Sequence, residues 1–224
     1  MLKKVYGFYA LFTLFMLAGA AISIAFSLVF GKKDLFFNMI FSSEDRISGI
    51  ILGVFLALTS GLSILAVVQR NHVTGPLVML NWMLIADAVA VITVGSRIWF
   101  FSLRQRAEFH TKWIELSGAE RITIQDMFSC CGYFLGNDTA EIGGKFCTSQ
   151  DFANSLNATN TANFCVTPIT QKTDYTLENT FTSIYAFMVP VIGLFLASLC
   201  VIQMRNEIER FKRIDLKRGG RGFV

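Results

Sequence analysis

Cys130, Cys131, Gly132, Cys147 and Cys165 fall within one polar stretch, and their thiols are the side chains of this chain best suited to chemistry of their own. Cysteines grouped this way form disulfides in an oxidising compartment, stay buried as free thiols, or hold a metal. Four cysteines allow three pairings, and the one joining the neighbours Cys130 and Cys131 is sterically poor, so each is expected to reach a different distal cysteine. Zinc ligands come as separated pairs, and the histidines, His72 and His110, lie elsewhere, so no metal is expected. A second candidate is Asp87, the one carboxylate inside a long apolar run that also holds Asn81. An ionisable group there reads as an ion or proton path, as the polar lining of a lipid-sized cavity, or as a polar lock hydrogen-bonded to Thr59 or Ser60 at similar depth. The lock is the simpler expectation, because no second charge within an apolar run completes a relay.

Sequence signatures of catalysis do not occur. Gly143-Gly144-Lys145 runs into Phe146 instead of Ser or Thr and lacks the spaced glycine of a phosphate loop. There is no His-Glu-x-x-His, Gly-x-Ser-x-Gly or paired dinucleotide glycines. The chain is therefore expected not to be an enzyme, to need no cofactor and to have no nucleic-acid partner.

The elements that must position these residues read as membrane spans. Hydrophobic residues make up 53% of the chain and charged ones 16%, with a mean hydropathy of +0.51; a soluble domain of this length carries more charge. A bilayer core of roughly 30 Å takes about 20 apolar residues in a helix. The chain divides into a cytoplasmic N-terminus (1–4), a first span (5–30), a small extracellular loop (31–46), a second span (47–68) and a cytoplasmic loop (69–76). A third span (77–96), a large extracellular loop (97–180), a fourth span (181–204) and a cytoplasmic tail (205–224) follow. Pro190 should kink the fourth span unless neighbours satisfy the carbonyl it frees. Lys3 and Lys4 ahead of a run containing Ala18-Gly19-Ala20 would also suit a cleaved signal peptide, but the run continues to Phe30, so a retained span is expected.

Lys and Arg flanking the spans set the orientation. Lys3, Lys4, Arg70, Arg205, Arg210, Lys212, Arg213, Lys217, Arg218 and Arg221 outweigh Lys32, Lys33 and Arg46, which puts both termini in the cytoplasm of a plasma-membrane or endomembrane protein. The large loop then faces outward, where Asn137-Asp138-Thr139 and Asn157-Ala158-Thr159 are acceptor triplets for N-glycans and the loop cysteines are oxidised.

Within that loop Trp99, Leu103, Ala107, His110 and Ile114 recur at helical spacing, so the third span should continue as one helix through 97–117 until Gly118 stops it. Helices are also expected over 119–128 and from Thr173 into the fourth span, while the segment 133–170, rich in Gly, Asn, Thr and Ser, should vary in conformation and present a binding surface. In the spans, Gly49, Gly53, Ala57 and Gly61 recur four apart, as do Gly19, Ser23, Ser27 and Gly31; such stripes let two helix backbones approach closely. The tail sets Ile208, Phe211 and Ile214 among basic residues, a pattern for lying on an anionic leaflet or for remaining solvated.

Four spans, a small loop between the first two, a large loop between the last two, and Cys130-Cys131-Gly132 followed by further cysteines resemble the tetraspanin family over essentially the whole chain. The resemblance implies an all-α membrane protein in which four transmembrane helices carry a disulfide-linked, mainly helical large extracellular loop between helices 3 and 4. It implies pairing of Cys130 with Cys165 and of Cys131 with Cys147. It also implies a scaffold for other integral membrane proteins, bound through the large loop and the spans, with sterol, anionic lipid and further copies of the chain (a homo-oligomer) as additional candidate partners. The small size, the Cys-Cys-Gly-Tyr form and the four loop cysteines are similar to the tetraspanins of filamentous fungi that serve host penetration, which implies polarised growth or infection and an NADPH oxidase as partner. The chain departs from the family where Gly143-Gly144-Lys145-Phe146, without proline, precedes Cys147, so the local turn should differ. Cys200 is the single candidate for palmitoylation, and the fourth span offers only Ser183, Ser198 and Gln203 to a sterol cavity. A small channel or transporter centred on Asp87 is the competing expectation.

Overall fold

The computed structural model describes residues 2–29, 35–69, 73–157 and 159–217. Gly31, Lys32, Lys33, Arg70, His72, Ala158, Arg218 and Arg221, on which parts of the stripe, orientation and sequon expectations fall, lie outside them. The described residues are all-helical, with no strand. In chain order the helices are α1 (Leu2–Val29), α2 (Leu35–Ile40), α3 (Ser43–Val68), α4 (Gly75–Glu115) and α5 (Gly118–Phe128). There follow α6 (Gln150–Ser155), a 3-10 turn (Thr161–Asn163), α7 (Val166–Ala186) and α8 (Met188–Lys217).

Four of these, α1, α3, α4 and the α7–α8 pair, are long and apolar enough to cross a membrane, with windows of mean hydropathy between 2.1 and 2.5. Leu14, Ile22, Leu58 and Leu65 are each about 60% exposed, an arrangement that water penalises and lipid does not. These are the marks of a multi-pass membrane protein. The helices divide into two compact units, one of Met1–Val29, Ile47–Val94 and Ser183–Val224, the other of Phe30–Arg46 and Gly95–Thr182.

In the first unit α1, α3, α4 and α8 share one apolar core, in which Met16, Leu56, Leu84 and Leu194 are each at most 1% exposed. Small residues bring α1 and α3 together at one end of their stripes. Ser23 Oγ donates to Gly49 O at 2.9 Å, and a Cβ on Gly53 would lie 2.6 Å from Ile24 Cγ1 and 3.2 Å from Ala20 O. Ala57 is partly buried against the same core. The stripe does not run its whole length: Gly61 is exposed, with nothing within 4 Å of a Cβ built there. Gly19 faces Phe187 instead of α3. The cause is geometric, since a step of four residues overshoots a full turn by about 40°, and three such steps carry Gly61 roughly 120° away from Gly49. Gly53→Leu should therefore wedge α1 from α3 and lower stability by about 1–3 kcal/mol, whereas Gly61→Leu should be near neutral. Thermal unfolding in mild detergent checks this, and equal effects of the two substitutions would refute the packing argument.

Pro190 interrupts the fourth apolar segment, where the helix breaks at Phe187 between α7 and α8. Proline has no N–H to give the carbonyl four residues back. At the break Phe187 N donates to Ile184 O at 3.2 Å in a tighter turn.

In the second unit α4 ends at Glu115, and Gly118, expected as a stop, is the first residue of α5. Ser117 N and Oγ both donate to Glu120 Oε2, at 2.9 and 2.7 Å, which fixes the start of α5. α7 likewise begins at Val166, ahead of Thr173. The core is built from Phe109, Trp113, Ile124, Tyr133, Phe164 and Ile169, all at most 2% exposed. Phe36, Met39, Ile40 and Phe41 belong to the same core, so α2 and the residue after it are part of this unit. Ser42 follows directly, its Oγ accepting from Asp45 N at 3.2 Å and capping α3.

Candidate functional site

The second unit is tied together where α5 ends. Ser129, at φ +50°, turns the chain out of α5, and Cys130 N closes the turn on Gln125 O at 3.0 Å. The next residues lie alongside the start of α7. Cys131 N donates to Asn163 O (3.0 Å), Cys165 N to Gly132 O (2.9 Å) and Val166 N to Tyr133 O (3.2 Å). This pairing brings Cys130 and Cys165 to a Cα separation of 5.0 Å, and they are disulfide-bonded. Cys131 is bonded to Cys147 with a Cα separation of 5.4 Å. All four sulfurs are buried. Gly132 sits at φ +71°, and a Cβ there would meet Leu135 O at 2.0 Å, so the position takes glycine alone. Gln125, buried beneath it and oriented to satisfy both neighbours, donates to Glu141 O at 3.1 Å and accepts from Gly132 N at 3.2 Å.

Tyr133 extends the knot into the core. Its hydroxyl donates to Arg106 O at 2.9 Å, and burial holds the phenol well above its ordinary pKa. His110 stacks on Tyr133 and Phe134 with ring centres 5.1 and 4.9 Å away, and its Nε2 lies 3.3 Å from Asp138 Oδ2. The segment 133–170, expected to be variable, contains α6, the 3-10 turn and both distal cysteines. Phe134 and Leu135, 42% and 48% exposed, put apolar surface beside Asn137 on its outer face.

Gly143-Gly144-Lys145 does hold an anion, and the anion is internal. Asp126 Oδ1 accepts from Lys145 N at 2.7 Å and Phe146 N at 3.0 Å. Those two bonds, that of Lys145 first, hold the Asp126 carboxyl below its ordinary pKa. A carboxylate whose folded-state pKa is depressed adds stability above its unfolded value of 3.8, and the contribution is lost as pH falls through the folded value. Asp126→Asn should thus lower the melting temperature at about pH 6, with the gap to the unaltered protein narrowing as the pH falls below the ordinary carboxylate range. A gap that is constant with pH would refute the assignment.

Lys112 fastens α2 to the same unit. Its Nζ donates to Met39 O at 2.8 Å and lies 5.1 Å from the Phe101 ring centre. Burial pulls the ammonium below its ordinary pKa, against Asp45, Glu108 and Glu115, which favour the charge.

In the first unit Asp87 is fully buried. Thr59, one of the two hydroxyls expected to lock it, stands within hydrogen-bonding reach of the carboxyl, and both hydroxyls also bond to their own helix. Thr59 Oγ1 donates to Phe55 O at 3.1 Å and Ser60 Oγ to Leu56 O at 2.8 Å, because a hydroxyl on a helix finds the carbonyl four residues back without leaving its own backbone. Asn81 does cross between helices, its Oδ1 accepting from Ser198 Oγ on α8. A further buried polar link joins α1 to α3 through Thr13 and Ser63, whose hydroxyls are 2.8 Å apart, and through Tyr9, which donates to Ser63 O at 2.9 Å. Cys200 is a free, exposed thiol on α8.

The bonding of Arg205 is what sequence reasoning missed. Counted as the first cytoplasmic charge, the residue is 2% exposed and donates to Ala66 O (3.3 Å), Val67 O (3.0 Å) and Val73 O (3.3 Å). It satisfies the last carbonyls of α3 and one ahead of α4. The available signal was its position, in helical continuation of an apolar run instead of after a break. The role of α2 was missed as well, although its six residues and Phe41 include only one polar side chain, Asn38.

No family model matches this chain, and neither does any curated protein or solved structure.

Proposed function

We propose that the chain is a tetraspanin-like membrane organiser that gathers other integral membrane proteins laterally, with both termini cytoplasmic and the disulfide-tied unit outside. The observation that carries this reading is the second unit itself, a helical domain closed at Cys130-Cys131-Gly132 by two disulfides and set between the third and fourth apolar helices. It presents the exposed Phe134 and Leu135. The fungal likeness extends the reading to polarised growth or host penetration, with an NADPH oxidase among the partners and sterol or anionic lipid at the helices. The test is affinity purification of the full chain from mild detergent beside a Phe134→Ser/Leu135→Ser form. Membrane proteins recovered with the first and lost from the second support the proposal; recovery of both forms alone defeats it.

One observation favours a second reading, a small channel or transporter. Asp87 is a fully buried carboxylate within an apolar helix, the kind of group that holds a cation or proton in passage. Ion or proton flux in reconstituted vesicles that disappears in Asp87→Asn supports it, and flux unchanged by that substitution removes it.

A further inference from the structure

We infer that the two N-glycan acceptor sites of the second unit are used at different times, Asn137 only on the nascent chain and Asn157 before or after folding. This rests on the outward placement proposed above.

Both asparagines are exposed, so the folded protein can carry a sugar at either. Recognition of the triplet involves the hydroxyl of its third residue as well as the asparagine carboxamide. At Asn157 both groups are accessible: Thr159 is exposed, and its N and Oγ1 donate to Asn157 Oδ1 at 3.0 and 2.8 Å. At Asn137 they are not, because Thr139 Oγ1 is buried and without a hydrogen-bond partner.

Thr139 is poorly suited to its own place. Its φ is +53°, a left-handed conformation that a β-branched residue adopts only under strain. Its buried, unpaired hydroxyl adds a desolvation penalty. Asparagine or glycine would ease the backbone there, and the fold supplies no reason for threonine. The triplet does supply one, since only serine or threonine completes it.

The turn that carries Thr139 packs against residues made later. Asp138 N donates to Leu135 O at 2.9 Å, and Gly136 lies so close to α6 that a Cβ would be 2.0 Å from Ala153 O. Cys131 waits for Cys147. Ala153 and Cys147 both follow Thr139 in the chain, so the hydroxyl is free for an interval and then sealed. In that interval Asn137 Nδ2 bonds to the anomeric carbon of an oligosaccharide carried on a lipid pyrophosphate. The bond from that carbon to the phosphate oxygen breaks, the lipid pyrophosphate departs, and the Nδ2 proton passes to a base of the transferase.

The test expresses the full chain as Asn157→Gln and as Asn137→Gln, each with and without dithiothreitol during synthesis, and scores glycan by the mobility shift on glycosidase treatment. Asn157→Gln should be modified on a fraction of chains that rises severalfold with reductant, and Asn137→Gln should be modified to an extent that reductant leaves unchanged. Equal occupancy of the two, indifferent to reductant, overturns the inference while leaving the outward placement intact; no glycan on either variant overturns both. As a second measurement, Asn137→Gln/Thr139→Asn is compared with Asn137→Gln, so that neither protein carries a glycan at residue 137. The added Thr139→Asn should raise the melting temperature by a few degrees, and a decrease would show that the fold does favour threonine.

Discussion

Arg205→Met should sharply destabilise the helix bundle, by about 4 kcal/mol, because each buried acceptor left without its donor costs about 1–3 kcal/mol. Three carbonyls lose their partner at once, those of Ala66, Val67 and Val73. Methionine fills most of the volume, so packing loss contributes little and the effect isolates the hydrogen bonds. Arg205→Lys should recover only part of the loss, since one ammonium cannot reproduce a planar fork that reaches carbonyls on both sides of a helix connection. Thermal unfolding in mild detergent, followed by helical circular dichroism, is the measurement. A methionine variant melting within a degree of the unaltered protein would mean that solvent or detergent replaces the guanidinium.

The second large effect is expected in the other unit. Cys130→Ser/Cys165→Ser opens a loop of sequence separation 35, and chain entropy alone puts that at about 4 kcal/mol. The two cysteines also sit in the apolar core beside Tyr133 and Phe164, so polar replacements add to the loss. Cys131→Ser/Cys147→Ser opens a separation of 16, worth about 3 kcal/mol. Its small cluster holds only Cys131, Cys147 and Ala153 as buried apolar residues. The first double variant should therefore lose the whole unit, seen as rapid proteolysis anywhere between Phe101 and Leu177. The second should expose only the neighbourhood of α6. Indistinguishable cleavage patterns would contradict this ranking.

The features legible in the sequence were those written in long runs. Four apolar stretches give four long apolar helices because no other backbone arrangement satisfies every amide within such a stretch, and Pro190 marks the break between α7 and α8 because it lacks a donor. What escaped depends on contacts between residues far apart in the chain. Leu35–Ile40 is too short for its periodicity to declare a helix, and only Phe109, Trp113 and Leu177 show why it is apolar. Arg205 looks the same in a sequence whether its guanidinium meets water or three carbonyls. The stripe from Gly49 to Gly61 was legible as composition but not as a surface, since a four-residue step drifts around the helix. Asp87 was found, and Thr59, one of the hydroxyls assigned to it, is within its reach, while both hydroxyls also hydrogen-bond their own helix.

The placement of Phe36, Met39, Ile40 and Phe41 in the core of the second unit has a consequence for biosynthesis. These residues leave the ribosome long before the segment that covers them, and at about 5–20 residues per second the wait from Phe41 to Leu177 lasts on the order of ten seconds. Throughout that time a greasy hexapeptide helix and its neighbour Phe41 have no lid. The cell must shelter them, with a chaperone or with lipid, until Trp113 and Ile169 arrive. A soluble fragment cut to residues 97–180 would keep that vacancy permanently. Crystallographers or immunologists who want this domain on its own should graft residues 35–41 back onto it.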